Sequence, residues 1–573
     1  MTDAGLRSAR WFAGDDEVAL LHRVAVAPTG YRPGRPVIGI AATASDLNPC
    51  HGDAGRLAEA VAEGVRAAGA TPMTFPASSL GEDLMKPSAM MYRNLLAVEI
   101  EEMARAYPLD GLVVLAGCDK TVPAALMGLA STDLPSLVAL VGTRRAGAFA
   151  GRRLAAGTDV WRELDRRRAG QTSDREWADF EASLAQVGPG TCNVMGTAVS
   201  MGLITEMLGM AVPGSASAVA GGEQIRAAAH QAGARAVALV DTGVRPSDLM
   251  TAAAFGNAVR VLAAVGGSTN AIIHLLAIAG RLGVRFDLAA VEAAVRDVPL
   301  LVDVEPCGAG LIEDFHAAGA APALVAALGE HLELDCVSAD GRAWREVAAG
   351  VEPAGPAIRR WDDPLEPAPT LAVVNGSLAP GGAVIKVAAA SPDLCDHRGP
   401  AVVFTDYEDM RRRLDSDDLD VPPDAVLVVR GCGPVGAPGM PEWGMAPIPK
   451  RLAAQGVRDM LRVTDGRMSG TSFGTVILHV VPEAAVGGPL ALVEDGDLIE
   501  FDLAERRLDL LVDDVELRRR AEAWTPPVSA HVRGWPAMYR RHVLPASAGC
   551  DLDFLTVPDE RPAAFVEPIV GRS

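Results

Sequence analysis

The tripeptide Cys118-Asp119-Lys120 follows the apolar run Leu112–Gly117 and precedes Thr121-Val122-Pro123. Open α/β sheets bind ligands where their strands end. A thiolate there suits iron–sulfur or zinc, and a carboxylate suits magnesium. The tripeptide therefore points to two unlike metals side by side and to lyase-type chemistry. Two more cysteines stand in similar loop settings, Cys50 in Asn48-Pro49-Cys50-His51 and Cys192 in Gly190-Thr191-Cys192-Asn193. Clusters usually take four protein ligands. Three thiolates from three loops could hold one with an iron left open for a substrate oxygen, by the logic of catalytic zinc. The alternative is three unrelated buried cysteines. The remaining five, Cys307, Cys336, Cys395, Cys432 and Cys550, read as space-filling.

Asp119, Glu82 in Leu80-Gly81-Glu82-Asp83 and Glu442 in Gly439-Met440-Pro441-Glu442-Trp443 could form a hard-metal site for Mg²⁺, which wants octahedral oxygen ligands. Taken singly, each acid reads first as a helix cap or a solvated loop carboxylate. The run Thr464–Ser472 sets Ser469 and Thr471 beside Gly470. A serine next to glycine can be strained and exposed, as a nucleophile or base needs, and a nearby Lewis acid would help remove its proton. The run is not G-x-S-x-G, because Arg467 holds the first glycine position, and a hydroxyl-rich turn is the plainer reading. Gly267-Ser268-Thr269 ahead of a helix could cradle a carboxylate through backbone N–H groups. No P-loop or dinucleotide fingerprint occurs, so a nucleotide cofactor is not expected.

These residues must be carried by a large chain. At 573 residues, two or three domains are expected. Hydrophobic residues make up 49% and charged ones 22%, as in a folded soluble protein. The formal charge is 52 − 73 = −21, which argues against nucleic acid as a partner. Met1–Asp16 lacks a signal-like apolar stretch and no ~20-residue apolar run is present, so a cytoplasmic protein without a membrane partner is expected. Eight scattered cysteines without a CxxC pair argue against a disulfide framework.

Strand and helix signals alternate through the first half. Strands are expected at Pro36–Ala42, Thr71–Phe75, Gly111–Leu115 and Ser136–Val141, and helices at Ala54–Ala68, Ser88–Ala106 and Pro123–Ala130. That alternation predicts a doubly wound parallel sheet. Residues 150–187 read as a charged, helical surface insertion. Helices are expected at Val194–Met210, Glu223–Ala232, Pro246–Val265 and Thr269–Leu282, with a strand at Ala234–Leu239. Five prolines in Val351–Thr370 mark a boundary. Beyond it, short β-type runs (371–374, 383–387, 401–404, 425–429, 476–481, 498–503 and 507–512) predict a smaller β-barrel-like α/β domain. The expected division is an α/β domain at 1–360 and a β-rich one at 370–573.

With these residues in view, the chain resembles the dihydroxy-acid dehydratase / phosphogluconate dehydratase family. The matching blocks are NPCHGD (48–53), GCDKTVPAALMG (117–128), GTCNVMGTA (190–198), GGSTNAIIHL (266–275), NGSLAPGGAVIK (375–386), GPVGAPGMPEW (433–443), GRMSGTSFG (466–474) and PEAAVGGPLALVEDGD (482–497). The resemblance implies loss of water from a 2,3-dihydroxy acid to give a 2-keto acid. It implies a cluster on Cys50, Cys118 and Cys192, and Mg²⁺ on Glu82, Asp119, Glu442 and a carbamylated Lys120. It implies Ser469 as the base, Thr471 as a neighbouring hydroxyl, and a dimer or tetramer. Ser79-Leu80-Gly81-Glu82, Met91–Leu95 and the tail Gly549–Leu555 resemble the sugar-acid branch, which implies a pentonate or hexonate substrate and a 2Fe-2S cluster, with 4Fe-4S as the alternative. The other branch would imply 2,3-dihydroxyisovalerate. Ala42–Asp46 lacks the Trp the family carries there, and His51-Gly52 replaces a more polar pair. Both changes leave the particular sugar acid open.

Overall fold

The computed structural model describes residues 5–25, 27–184 and 187–556. Four strands, β1 (Val37–Ala42), β2 (Thr71–Pro76), β3 (Gly111–Ala116) and β4 (Ser136–Leu140), run parallel in the order β2-β1-β3-β4. β3 and β4 are buried along their whole length, so they read as apolar runs with no alternation. Leu112 and Val114 join the core beneath helices Ala89–Ala106, Cys118–Thr132 and Thr197–Met207. Val113 and Leu115 face Ala54–Ala67 and Glu223–Thr242 on the other side. Helices thus cover both faces, and the last residue of β3 is one residue from Cys118.

Several expectations need correction. Ala234–Leu239 is no strand; it lies inside helix Glu223–Thr242. A short apolar run cannot be told from a buried helical segment by its pattern, and here packing decides. The helix crosses Ala54–Ala67 so closely that a Cβ on Gly233 would stand 2.1 Å from the Val61 carbonyl oxygen, and one on Gly64 1.9 Å from that of His230. The helix expected at Pro123 begins five residues earlier, at Cys118, with Pro123 inside it. The Pro246–Val265 helix is broken into Pro246–Leu249 and Ala252–Ala264, the latter capped by Thr251. Of the expected 150–187 insertion, in which 185 and 186 lie outside the described residues, Thr158–Arg168 and Asp174–Leu184 are helical. They are not simply surface, because Thr158, Asp159 and Glu163 are buried.

The second sheet has eight strands: β5 (Leu371–Val374), β6 (Ala383–Lys386), β7 (Asp396–Phe404), β8 (Val426–Val429), β9 (Arg462–Thr464), β10 (Val476–Leu478), β11 (Leu498–Asp502) and β12 (Arg507–Leu510). Their order is β12-β11-β7-β8-β9-β10-β6-β5. The two edges nearly close on each other at Asn375, whose N–H donates to Arg506 O (2.9 Å) and whose carbonyl accepts from Leu508 N–H (2.8 Å). β9 escaped the sequence reading because three residues show no alternation.

Two buried arginines fasten the tail to the helices. Arg281 pairs with Asp551 through two bonds of 2.8 and 3.0 Å, both side chains fully enclosed. Arg93 donates to the carbonyls of Gly549 and Cys550. Asp551→Ala would leave the buried Arg281 only Glu101 at 3.7 Å as countercharge and should cost about 3 kcal/mol, read as a lower denaturation midpoint. Gly233→Val should cost about 1–3 kcal/mol through overpacking; a midpoint equal to the parent's would contradict the helix crossing.

Candidate functional site

Cys50 lies in the short turn Pro49–His51, where the Asn48 side chain accepts its N–H at 3.2 Å. Cys118 opens its helix with φ +62°, a left-handed backbone uncommon outside glycine. Such strain clusters at functional positions. Cys192 follows Thr191, which bridges Thr143 beyond the end of β4. The structure brings the three together. The Cys50 and Cys118 thiols hydrogen-bond, which draws Cys50 down and, with burial, drives Cys118 well up. Cys192 lies within their electrostatic reach, and burial pushes its thiol up to about 12 although the residue as a whole is half-buried.

Arg144 faces the same thiols. Its N–H donates to Thr191 O at 2.8 Å and its Nε to Gly190 O at 3.4 Å. Burial opposes its charge, but Cys192, Cys50 and Asp83 together hold it above the ordinary range. His51 buttresses the turn from behind. Its Nε2 accepts Gly117 N–H at 3.0 Å, and its Nδ1 lies 3.0 Å from Thr43 O and 2.8 Å from Ser79 Oγ. That pattern needs a neutral ring with its proton on Nδ1, in line with burial lowering its basicity.

The three acids also converge. One carboxylate oxygen from each of Glu82, Asp119 and Glu442 falls within 4.8 Å of the other two. Lys120 is completely buried among the acids, touching Asp119 and lying 3.1 Å from Glu442 and 3.3 Å from Glu82. Burial works against its charge, but Asp119, Glu442 and Glu82 outweigh it and hold the ammonium above its usual range. Arg467, also fully buried, donates to Glu442 at 2.6 Å and to Ser88 Oγ at 3.1 Å, and Ser88 in turn donates to Glu82 Oε1 at 2.9 Å. Asn270 Nδ2 donates to Glu442 and to Met468 O, each at 3.1 Å. Within this cluster, among the described residues, the buried oxygens Glu82 Oε2 and Asn270 Oδ1 have no hydrogen-bond donor. Glu82 Oε2 meets Lys120 at ion-pair distance without hydrogen-bond geometry.

Ser469 follows a two-residue strand, Arg467–Met468, that runs parallel to Glu442–Trp443. Its N–H donates to Trp443 O at 2.7 Å. Its Oγ lies 2.9 Å from Thr471 Oγ1 and accepts Thr471 N–H at 3.3 Å. Asn270, bonded to both Glu442 and Met468, ties this loop to the acids. Gly470 sits where a Cβ would be 2.7 Å from Ser268, so the GGSTN block packs under the serine loop. Beside the Cys50 turn, a cavity of about 400 Å³ is lined by Ala44, Ser45, Asp46, His51, Gly52 and Arg56, among others. These are the segments that depart from the resemblance.

Arg467 and Asn270 stand inside recognisable glycine-rich blocks, though their roles were not assigned from sequence. Arg144 was missed altogether, since Thr143-Arg144-Arg145 gives no signal beyond charge.

Two family models match the chain, dihydroxy-acid/6-phosphogluconate dehydratase N-terminal over residues 35–347 and C-terminal over 356–550. A 6-deoxy-6-sulfo-D-gluconate dehydratase of Pseudomonas putida is 45% identical over 565 residues, 97% of each chain. An L-arabinonate dehydratase of Rhizobium leguminosarum bv. trifolii is 44% identical, covering 96% of each. A dihydroxy-acid dehydratase of Sulfurisphaera tokodaii is 36% identical, covering 90% of this chain and 93% of its own. Matches of that extent, over a site whose acids, thiols and serine come together in space, leave one assignment: the chain belongs to the dihydroxy-acid/6-phosphogluconate dehydratase family.

Proposed function

We propose that this hydro-lyase removes water from a 2,3-dihydroxy sugar acid, a pentonate or hexonate, to give the 2-keto-3-deoxy acid. The observation that carries the reading is the convergent triad of half-buried Glu82, buried Asp119 and half-buried Glu442, with one oxygen lacking a donor, set beside three converging free thiols. The relatives named for sugar acids support the substrate class. The alternative, 2,3-dihydroxyisovalerate, is favoured by the relatives named dihydroxy-acid dehydratases, which are 36% and 38% identical against 45% and 44% for two of the sugar-acid enzymes.

The donor sets suit the two inorganic groups proposed. Cys50, Cys118 and Cys192 would hold the iron–sulfur cluster, 2Fe-2S in this reading, since thiolates suit iron. Glu82, Asp119 and Glu442 would hold Mg²⁺. Lys120 as an ammonium cannot ligate a cation; carbamylated, it offers an anionic oxygen, and four anions facing the single Arg467 guanidinium then call for a divalent ion. Bound there, the two groups would supply Lewis acidity toward the substrate's carboxylate, its C2 hydroxyl and its departing C3 hydroxyl.

The chain's own residues do the rest. Ser469 Oγ, as its alkoxide, takes the C2 proton, and Thr471 N–H is already directed at that oxygen. Arg467 and Asn270 fix Glu442, and Ser88 fixes Glu82, so neither carboxylate swings when substrate arrives. With hydroxide lost from C3, the resulting enol tautomerises to the 2-keto acid. Its wider setting is part of the same proposal: a doubly wound domain at 1–360 joined to a smaller barrel-like domain at 370–573, working as a cytoplasmic homodimer or homotetramer. Free cysteines fit a reducing compartment, and among the described residues no helix is long and apolar enough to cross a membrane.

A keto-acid assay across aldonates, run beside 2,3-dihydroxyisovalerate, should favour an aldonate; a higher rate with dihydroxyisovalerate would reverse the assignment. Cys118→Ser should remove visible charge-transfer absorption and iron, and Cys336→Ser should leave both unchanged. Equal iron in the two variants would defeat the ligand assignment. Ser469→Ala should keep colour and metal but lose turnover by about 10²-fold or more.

A further inference from the structure

The helix Thr158–Arg168 comes from a segment whose charge marks it as surface, yet its first turn closes on Thr471. Thr158 Oγ1 donates to Thr471 O at 3.0 Å, and the indole Nε1–H of Trp161 donates to Thr471 Oγ1 at 3.1 Å. Three close backbone approaches hold these groups in place. A Cβ on Gly157 (φ +88°) would lie 2.8 Å from Thr471 Oγ1, one on Gly196 2.9 Å from Thr471 Cγ2, and one on Gly444 2.3 Å from the Trp161 ring. Arg162, on the next position, anchors the helix through a bidentate pair with Glu305 at 2.8 and 2.9 Å. The threonine is β-branched and stiff at χ1, so walls on both sides leave its hydroxyl one setting, 2.9 Å from Ser469 Oγ.

We propose that Trp161 is a positioning residue for the base, acting on Ser469 through Thr471. The inference rests on the reading of Ser469 as base. An indole N–H only donates. It occupies one lone pair of Thr471 Oγ1 and polarises the threonine O–H, which strengthens that group as a donor. Ser469 Oγ, once deprotonated, can only accept, and it then receives both the Thr471 O–H and the Thr471 N–H. Once Ser469 Oγ has given its proton to solvent, the Thr471 N–H bond it already accepts is joined by the Thr471 O–H, which is reinforced from behind. Hydrogen bonding to the charged form favours that form. Trp161 therefore lowers the pH at which Ser469 can serve as base without touching the substrate.

The test uses the holoenzyme with the aldonate turned over fastest, and five variants: Trp161→Phe, Thr471→Val, their double, Thr471→Ser and Ser469→Ala. Trp161→Phe keeps the ring and removes the donor. It should lower kcat on the order of 10-fold, leave KM unchanged, and move the rising limb of the kcat–pH profile to higher pH. The double variant should be no slower than Thr471→Val by more than about twofold, because the tryptophan then has nothing to act through. Independent of turnover, the ¹⁵N-indole resonance lost in Trp161→Phe should shift in Thr471→Val and return in Thr471→Ser. Multiplying effects in the double variant, or an indole signal indifferent to Thr471→Val, would overturn the proposal. An inactive Ser469→Ala beside a Trp161→Phe enzyme of parental rate and pH profile would remove Trp161 alone; an active Ser469→Ala would remove the base and Trp161 with it.

Discussion

In the unmodified chain, two cations buried among three acids set the terms for the rest of the molecule. Lys120 and Arg467 are both fully enclosed, and they face Glu82, Asp119 and Glu442. The cluster carries 2 − 3 = −1. Charges removed from water are tolerated only where their partners are placed well and their remaining bonds are met. Here the partners come from both ends of the chain: residues 82, 119 and 120 from the end of the parallel sheet, and 442 and 467 from the loops beside the barrel. Lys120 reaches across to Glu442 at 3.1 Å, and Arg467 across to Ser88 Oγ at 3.1 Å. The site is thus an electrostatic joint as well as a place for chemistry.

The residues around that joint are held by backbone more than by side-chain packing. Cys118, Met440, His479 and Cys550 all have positive φ. Met440 O accepts the Arg467 Nε bond at 2.8 Å, and Cys550 O accepts from Arg93. These are positions where the chain is bent so that a carbonyl meets a buried guanidinium. The tail that reads as a family marker in sequence is, in space, a clamp: Gly549 and Cys550 satisfy Arg93, and Asp551 satisfies Arg281. Cys550 itself takes no part with the other thiols; its Sγ lies 3.9 Å from Met440 Sδ.

The long, regular elements were legible because their hydrophobic pattern is set by one dominant face or by burial on both. β1 to β4, helix Ala89–Ala106 and seven of the eight barrel strands follow from pattern alone. The failures share a cause. Ala234–Leu239, β9 and the start of the Cys118 helix are short stretches whose conformation depends on what lies across from them: a glycine crossing for the first, neighbouring strands for the second, and the single-residue connection after β3 for the third.

Composition and motif order determined that this is an acidic α/β protein carrying cysteine, acid and serine blocks in one family's order, because those properties reside in residue identities. Only the folded chain decided that Glu82 and Glu442 would share a site with Asp119, that Arg467 and Asn270 would fix Glu442, that Arg144 would face the thiols, and that a tryptophan from a charged helix would reach the serine loop. Each of these is a contact between residues far apart in sequence. Such a contact exists only when burial of the intervening elements brings them together, and no local pattern encodes that distance.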